Sequence, residues 1–495
     1  MEPVLRLSRL LLPLALAASA SVAACQGCRA SGALPERPAS TARPTLRLYF
    51  ASTVAGALEP CGCSKNQLGG IDRLGAFFQA QRKEAPDALF AVAGPLFFLD
   101  PVLRGEQATQ DRWKAEALAV ALKKTGLAAW APGANDWADG PDTLARLREQ
   151  SGSALLAANL AGSTAGAVAS VLREAGGLKV GYIGLSSPAR NGFPPEGVQV
   201  RPPAPPLRDA IDQLRAQGAQ VLVGLFALPR GEALRLIETA PELHVAAVGK
   251  PYEQGDANDK PAPPVLINST LVVQTSNHLQ TVAVVDLHVR GQSFSFQDTS
   301  GAGGSSFTPP ATGSFTRVST VNITTDLGRD EPIYGAMLEY YRKVNDHNKT
   351  ALADRKSPPP GPDGNRYVGI QVCTGCHAEA REVWDRTPHA RAYKTLVDGH
   401  KEFNLECVGC HVTGYEKPGG STVTDNALLR DVQCEVCHGP GAKHVEKPAD
   451  KSRITLRPAE GFCVSACHHP PHVDQFDAAA MMPAILGPGH QQKKP

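Results

Sequence analysis

Three short runs could carry the same chemistry: Cys373-Thr374-Gly375-Cys376-His377, Cys407-Val408-Gly409-Cys410-His411 and Cys434-Glu435-Val436-Cys437-His438. Each is C-x-x-C-H, the spacing of covalent haem c attachment. Two thiols three positions apart on one helical turn reach the two vinyl groups of a haem and form thioethers. The histidine that follows comes under the iron as its proximal nitrogen ligand. C-x-x-C pairs also clamp zinc, but a zinc ribbon does not call for histidine after each second cysteine. A fourth run, Cys463-Val464-Ser465-Ala466-Cys467-His468, is C-x3-C-H. One extra residue bulges the loop between the thiols, and the histidine still follows the second cysteine. The expected cofactor is therefore haem c, three on the regular motifs and a fourth on the variant, with a disulfide or a single thioether as the alternative there.

The residues around these motifs resemble the tetrahaem cytochrome c-554 family. The likeness is carried by Tyr367-Val368-Gly369, by Glu382–Tyr393 with Trp384 and Thr387-Pro388-His389-Ala390, by CVGCHVTGY from Cys407, by CEVCHGPGAKH from Cys434 and by Phe462–Phe476. It implies clustered haems that pass electrons, with relatives acting in nitrogen-compound oxidation or reduction. It also implies that His389 and His444 are distal iron ligands, as they stand at motif positions resembling such ligands. His472, His400, His469 and His347 are further candidates, and His490 reads as a solvated surface residue. Few apolar side chains lie between the motifs, so the haems are expected to form much of the core, and the region is expected to be largely unfolded without them.

Eight of the twelve cysteines fall between Cys373 and Cys467, so one region of a 495-residue chain is chemically specialised. A length of this order suggests roughly two to four domains. Fifty Lys and Arg against 48 Asp and Glu leave a net charge of +2, which gives no support to nucleic-acid binding. At the start, Arg6 and Arg9 precede the short apolar run Leu10–Ala18. That run is too short to span a bilayer and reads as a signal peptide over residues 1–24. Val22-Ala23-Ala24-Cys25 resembles a bacterial lipobox, in which the thiol of Cys25 would receive lipid. Ordinary signal cleavage with an incidental Cys25 is the alternative. A flexible spacer is expected over 25–44.

From 45 to 300, apolar strand-like runs alternate with helical patterns, which argues a layered α/β domain. Expected strands include Leu46–Ala51, Ala88–Ala93, Lys179–Leu185, Val221–Phe226 and Val245–Val248; expected helices include Ile71–Lys83, Arg112–Lys124 and Leu207–Ala216. Gly, Ser, Thr and Pro enrichment predicts a linker over 301–365, broken by one helix at Pro332–Asn348. In that helix Ile333, Met337, Tyr340, Tyr341 and Val344 form an apolar stripe. A mainly α, haem-packed domain follows at 366–480, then a tail at 481–495.

The order of small motifs in the α/β part resembles the metallophosphoesterase domain of the 5'-nucleotidase family. It is carried by Gly69-Gly70-Ile71-Asp72-Arg73, Ala93–Phe98, Pro132–Gly140, Ala158-Asn159-Leu160, Val180–Leu185 and Val245–Gly249. That family holds two metals between Asp, His and Asn ligands. Where the resemblance implies Asp-x-His, this chain has Thr53-Val54-Ala55. Where it implies Asp-Ala-Gly-Asp, the chain has Val92-Ala93-Gly94-Pro95, and where it implies Gly-Asn-His-Glu, it has Gly133-Ala134-Asn135-Asp136. The expectation is a catalytically dead scaffold serving as a docking platform. Just beyond the first motif, Cys61 and Cys63 stand one residue apart. A strained disulfide, a soft-metal site, a reactive thiol, and a plain structural disulfide or inert pair all fit that spacing.

Taken together, these residues predict an exported multihaem cytochrome, lipid-anchored in the bacterial cell envelope on the periplasmic side or at the cell surface. Its partners would be other electron-transfer proteins or quinol-linked membrane complexes, with no nucleic acid. Two rivals remain: a haem oxidoreductase acting on a small nitrogen or sulfur compound at an open iron, and a metal-dependent hydrolase fused to a cytochrome.

Overall fold

The structure is a computed structural model, and it describes residues 43–61, 67–187, 195–252, 256–292, 294–298, 309–459, 461–470, 472–473 and 476–490. The expected signal peptide, Cys25 and Cys63 lie outside these residues, as does the side chain of Cys61. Among the described residues, no helix is long and apolar enough to cross a membrane.

Leu46–Ser52 explains the layering on its own. All seven residues are buried, and their side chains alternate between two cores. Leu46, Leu48 and Phe50 face one core while Tyr49 and Ala51 face the other. A strand covered on both faces needs a mostly apolar run, and the one charge in this strand, Arg47, is paired with Asp286 at 2.6 Å. It is the middle of a seven-stranded sheet ordered Phe296–Asp298, Ser314–Asn322, Thr281–His288, Leu46–Ser52, Leu89–Ala93, Leu127–Ala131, Ala154–Leu155. A six-stranded sheet runs Ala262–Ile267, Thr270–Gln274, Val245–Gly249, Val221–Ala227, Leu178–Ser186, Ser170–Ala175. The core between the sheets joins Leu48, Phe50 and Ala91 to Val180, Tyr182, Val223 and Val245. Helices Ile71–Gln81, Gln107–Thr125 and Gly140–Ser151 cover the outer face of the first sheet. Ala204–Ala216 and Arg230–Glu238 cover that of the second. This is the layered α/β architecture expected from the alternation of elements.

Structure and sequence part over 301–365. Ser314–Asn322 is a nine-residue strand, paired antiparallel with Thr281–His288 from Thr281↔Asn322 to His288↔Phe315. Ser and Thr make up four of its nine residues, around Phe315, Val318 and Val321, and β-branched Thr suits a strand as well as a loop; composition alone hid it. The helix extends over Glu331–Ala351, with Asp330 accepting the Ile333 N–H as N-cap and Pro332 in the first turn. Its whole predicted stripe is buried in the core of the first sheet. The short edge pieces Leu160–Gly162 and Val198–Val200, and the helix Gly140–Ser151, are absent from the sequence reading.

Helix Glu331–Ala351 is thus part of the α/β core. Met337→Ala is expected to cost roughly 2–5 kcal/mol, as for other buried large-to-small changes. Chemical denaturation measures it; a shift within about 0.5 kcal/mol, the range of an exposed position, would return the helix to linker status.

Candidate functional site

Each cysteine motif forms a short helical turn: Ile370–Thr374, Val408–His411, Cys434–His438 and Gly461–Ala466. In the first, the His377 N–H donates to the Cys373 carbonyl at 3.0 Å. In the fourth, the His468 N–H donates to the Cys463 carbonyl at 2.9 Å, one residue further along. The wider turn absorbs the extra residue, and the histidine keeps the same bond to the carbonyl of the first cysteine. That is the local reason the variant spacing presents its histidine as the regular motif does.

The turns are drawn together by a few buried polar groups. Glu435 is 1% exposed. Its carboxylate accepts the N–H groups of Val368 (2.9 Å), Gly369 (2.7 Å) and Gly441 (2.7 Å). Gln433 accepts the Ile370 N–H at 2.7 Å and donates to the carbonyls of Leu428 and Arg430. The third motif therefore grips the start of the first. The Cys373 thiol lies beside that of Cys434, and this contact, with burial, raises its pKa. Cys410 and Cys467 meet likewise, and the contact lowers Cys410 to about 7. Motif one thus adjoins motif three, and motif two adjoins motif four. Burial pushes the other thiols of the second and third motifs up, Cys407 to about 12 and Cys437 to about 11.

Histidines face each other across this cluster. The rings of His377 and His444 lie 6.4 Å apart between centroids, at 26° to one another. Those of His389 and His468 lie 6.3 Å apart, at 50°. Two imidazoles that share one metal through bonds of roughly 2 Å place their centroids roughly 6 Å apart. The candidates His389 and His444 are therefore each brought opposite a motif histidine. His389 is held there by its own backbone: its carbonyl accepts the Val432 N–H, and the Trp384 indole donates to the Val432 carbonyl at 2.7 Å.

The remaining motif histidines are oriented from behind. His411 Nδ1 lies 2.6 Å from the Ala392 carbonyl, and His438 Nδ1 lies 2.6 Å from that of Thr455. A carbonyl accepts only from Nδ1–H, which leaves Nε2 with the lone pair a metal takes. Burial lowers the pKa of His389, His411 and His468, which keeps them in the neutral, ligating form. His472 lies within electrostatic reach of His411 and 6.2 Å from His469 between centroids. His347 is elsewhere, edge-on to Trp113 at 5.0 Å, and His400 sits in the turn after Ala392–Asp398.

Haem fits these residues. Among the described residues, no three His, Cys, Asp or Glu side chains converge as a site for a bare ion. A haem iron asks the chain for only two nitrogens, since the porphyrin supplies the rest. Large apolar side chains beside the motifs lie open to a macrocycle: Val372 before Cys373, and Phe462 and Val464 flanking Cys463. The His444 Nδ1 is buried without a hydrogen-bond partner among the described residues, and either ring nitrogen can ligate.

The cluster is docked on the α/β unit. Gln110, 1% exposed, donates to the Asn404 side chain at 3.1 Å and accepts the Leu405 N–H at 3.0 Å. Lys114 pairs with Glu406 at 2.9 Å, Lys401 with Glu59, and Asn348 donates to the Phe403 carbonyl at 2.8 Å. These contacts fix the segment immediately before Cys407.

At the degenerate motifs the polar atoms are tied to the chain itself. Thr53 Oγ1 accepts the Lys250 N–H at 3.0 Å. Asn135 Nδ2 donates to the carbonyls of Leu99 (2.5 Å) and Tyr252 (3.2 Å). The buried Asp136 carboxylate accepts the N–H groups of Leu96, Phe97 and Gly133, though burial still pushes its pKa up to about 6. A Cβ on Gly249 would fall 2.1 Å from the Gly94 carbonyl oxygen, so the two sheets meet there backbone to backbone.

The cytochrome c554 and c-prime family matches residues 372–439. Cytochrome c-554 of Nitrosomonas europaea is 34% identical over 91 aligned positions, 15% of this chain and 39% of that protein. The chain thus spans well under half the length of that relative. Both findings support a haem c cytochrome in the C-terminal region. Among solved structures, the chain is similar to a 5'-nucleotidase precursor of Thermus thermophilus, at 20% identity over 64% of this chain and 61% of that one, with a TM-score of 0.47. It is also similar to a sulfate thiohydrolase of Thermus thermophilus, at 15% identity over 62% of each chain (TM-score 0.49). A calcineurin-like phosphoesterase of Bacillus subtilis matches at 16% identity over 60% of this chain and 97% of that one (TM-score 0.45).

Sequence reasoning missed Glu435. It sits inside a C-x-x-C-H motif, where the intervening residues read as filler; an acidic residue within such a turn was the available signal. Glu435→Ala strands three N–H groups and is expected to cost on the order of 3 kcal/mol or more. The thermal midpoint of the haem-loaded protein, followed in the Soret region, should fall accordingly. A midpoint within about 1 °C of the parent's, a shift that corresponds to only a small fraction of that cost, would remove Glu435 from this role.

Proposed function

We propose that this protein is an exported multihaem c-type cytochrome that carries electrons at the cell envelope through four haems, with the phosphoesterase-like unit as a non-hydrolytic docking platform. The observation that carries the reading is the pair of facing imidazoles, His377 with His444 and His389 with His468, at the separation one shared iron demands. The haems would be held by Cys373 and Cys376, Cys407 and Cys410, Cys434 and Cys437, and Cys463 and Cys467. His377, His411, His438 and His468 would lie under the irons. Bound haem supplies reversible one-electron chemistry at iron, and two histidines per iron leave little to rearrange on reduction. The chain's part is to fix the imidazoles, keep them neutral and hold the irons in one rigid cluster.

Redox proteins of the envelope and quinol-linked membrane complexes are the partner classes this reading calls for. A lipid on Cys25 would hold the protein at the membrane. The platform role is supported by the bonds that occupy Thr53, Asn135 and Asp136, which leave these side chains committed to the fold.

Expressed with cytochrome c maturation, the chain should carry four haems by pyridine haemochrome assay. Cys463→Ser with Cys467→Ser should lower the count to three. Three haems in the unaltered chain would reassign Cys463 and Cys467 to another use; none would revive the zinc reading. Phosphate release from nucleotides with manganese or zinc should stay at background, and measurable release would sink the platform role.

A further inference from the structure

We propose that the α/β unit holds a binding site for a neutral, single-ring phenol, apart from both the haem region and the degenerate metal motifs. A cavity of about 180 Å³ opens between the first sheet and its helices, with Tyr49, Phe78, Arg82, Ala88, Phe90 and Thr125 among its lining. It sits where the strand Leu89–Ala93 begins, whereas the degenerate second motif stands at that strand's other end. Thr125 also lies eleven positions beyond Lys114 on one helix, roughly 16 Å along its axis from the seam with the haem region.

The walls set the size and shape of the ligand. The rings of Tyr49 and Phe78 lie 4.8 Å apart between centroids, and those of Phe78 and Phe90 4.9 Å, so three aromatic side chains form one continuous surface. A cavity of roughly 150 Å³ lined by apolar side chains takes benzene. This one therefore has room for a six-membered ring with one small substituent, packed against that surface.

The substituent is an oxygen. Tyr49 is 4% exposed, and its hydroxyl is buried without a hydrogen-bond partner among the described residues. Arg47, on the same face of the strand, directs its guanidinium at Asp286 and Gln81, and a guanidinium cannot accept. The Tyr49 O–H is thus a buried donor in want of an acceptor, which is costly to leave unmet.

Charge settles the rest. Helices Ile71–Gln81 and Gln107–Thr125 both end at the cavity, where Arg82 and Gly126 are their C-caps. Two helix C-termini bring partial negative charge, which disfavours an anion. The exposed Arg82 at the mouth disfavours a cation. A phenol is neutral at pH 7, like the side chain of tyrosine, and its oxygen accepts from Tyr49.

The test titrates phenol into the full haem-loaded chain by calorimetry, beside toluene, benzoate and benzylamine. Phenol should bind once per chain in the millimolar range expected of so small a ligand. Benzoate and benzylamine should bind roughly tenfold more weakly or worse, the cost of taking a charge out of water. Tyr49→Phe should weaken phenol about fivefold, the worth of one neutral hydrogen bond, and leave toluene unchanged. Ala88→Leu, which fills the cavity, should abolish binding of both. No saturable heat with millimolar phenol, or a phenol titration that neither variant alters, overturns the site. Benzoate or benzylamine binding as well as phenol overturns the neutral ligand. The Soret band should stay in place throughout; a shift would put phenol at an iron and overturn the site as well.

Discussion

The shortage of apolar side chains in the C-terminal region is the constraint on which the rest depends. Its buried cluster consists of Tyr393, Leu396, Val408, Val412 and Val423, joined by Leu352 from the end of the long helix. Ordering one residue costs roughly 1–2 kcal/mol, and burying a large apolar side chain returns roughly 1.5–3 kcal/mol. A chain that buries so few cannot close that balance by its own side chains. Flat apolar macrocycles, covalently attached at fixed intervals, are material that can. The polypeptide then acts less as a core than as a wrapping, which is why its organisation rests on turns and on polar knots such as Glu435 and Gln433.

Such a wrapping gains from an external anchor, and the α/β unit provides one. Gln110 on the second helix is buried at the seam and serves the loop before Cys407 with both ends of its amide. Lys114 and Glu406 lie close by, and Tyr341 carries Lys401 over its ring at 4.7 Å. Polar groups at a buried seam specify a register that apolar contact alone would leave loose. The second motif is therefore held against the α/β unit by paired polar groups.

Much of this was legible in the residues. The apolar run in Leu46–Ser52, the stripe of Glu331–Ala351 and the four cysteine runs each follow from a short-range rule, and each is where that rule puts it. What was not legible depends on distance along the chain. The strand Ser314–Asn322 is made a strand by Thr281–His288, which offers it eight partners. The pairing of His377 with His444 spans 67 positions, and that of His389 with His468 spans 79. No local spacing encodes either.

Buried polar groups of the α/β unit follow the same physical terms. Asn135 bonds the carbonyls of Leu99 and Tyr252, and Asp136 caps the turn that holds Leu96 and Phe97. His278, 2% exposed, stays neutral there: burial first, then the charges of Lys114 and His472, hold its pKa down to about 3. Lys114 belongs to the seam and His472 to the C-terminal region, so His278 lies on the side of the α/β unit that this region covers.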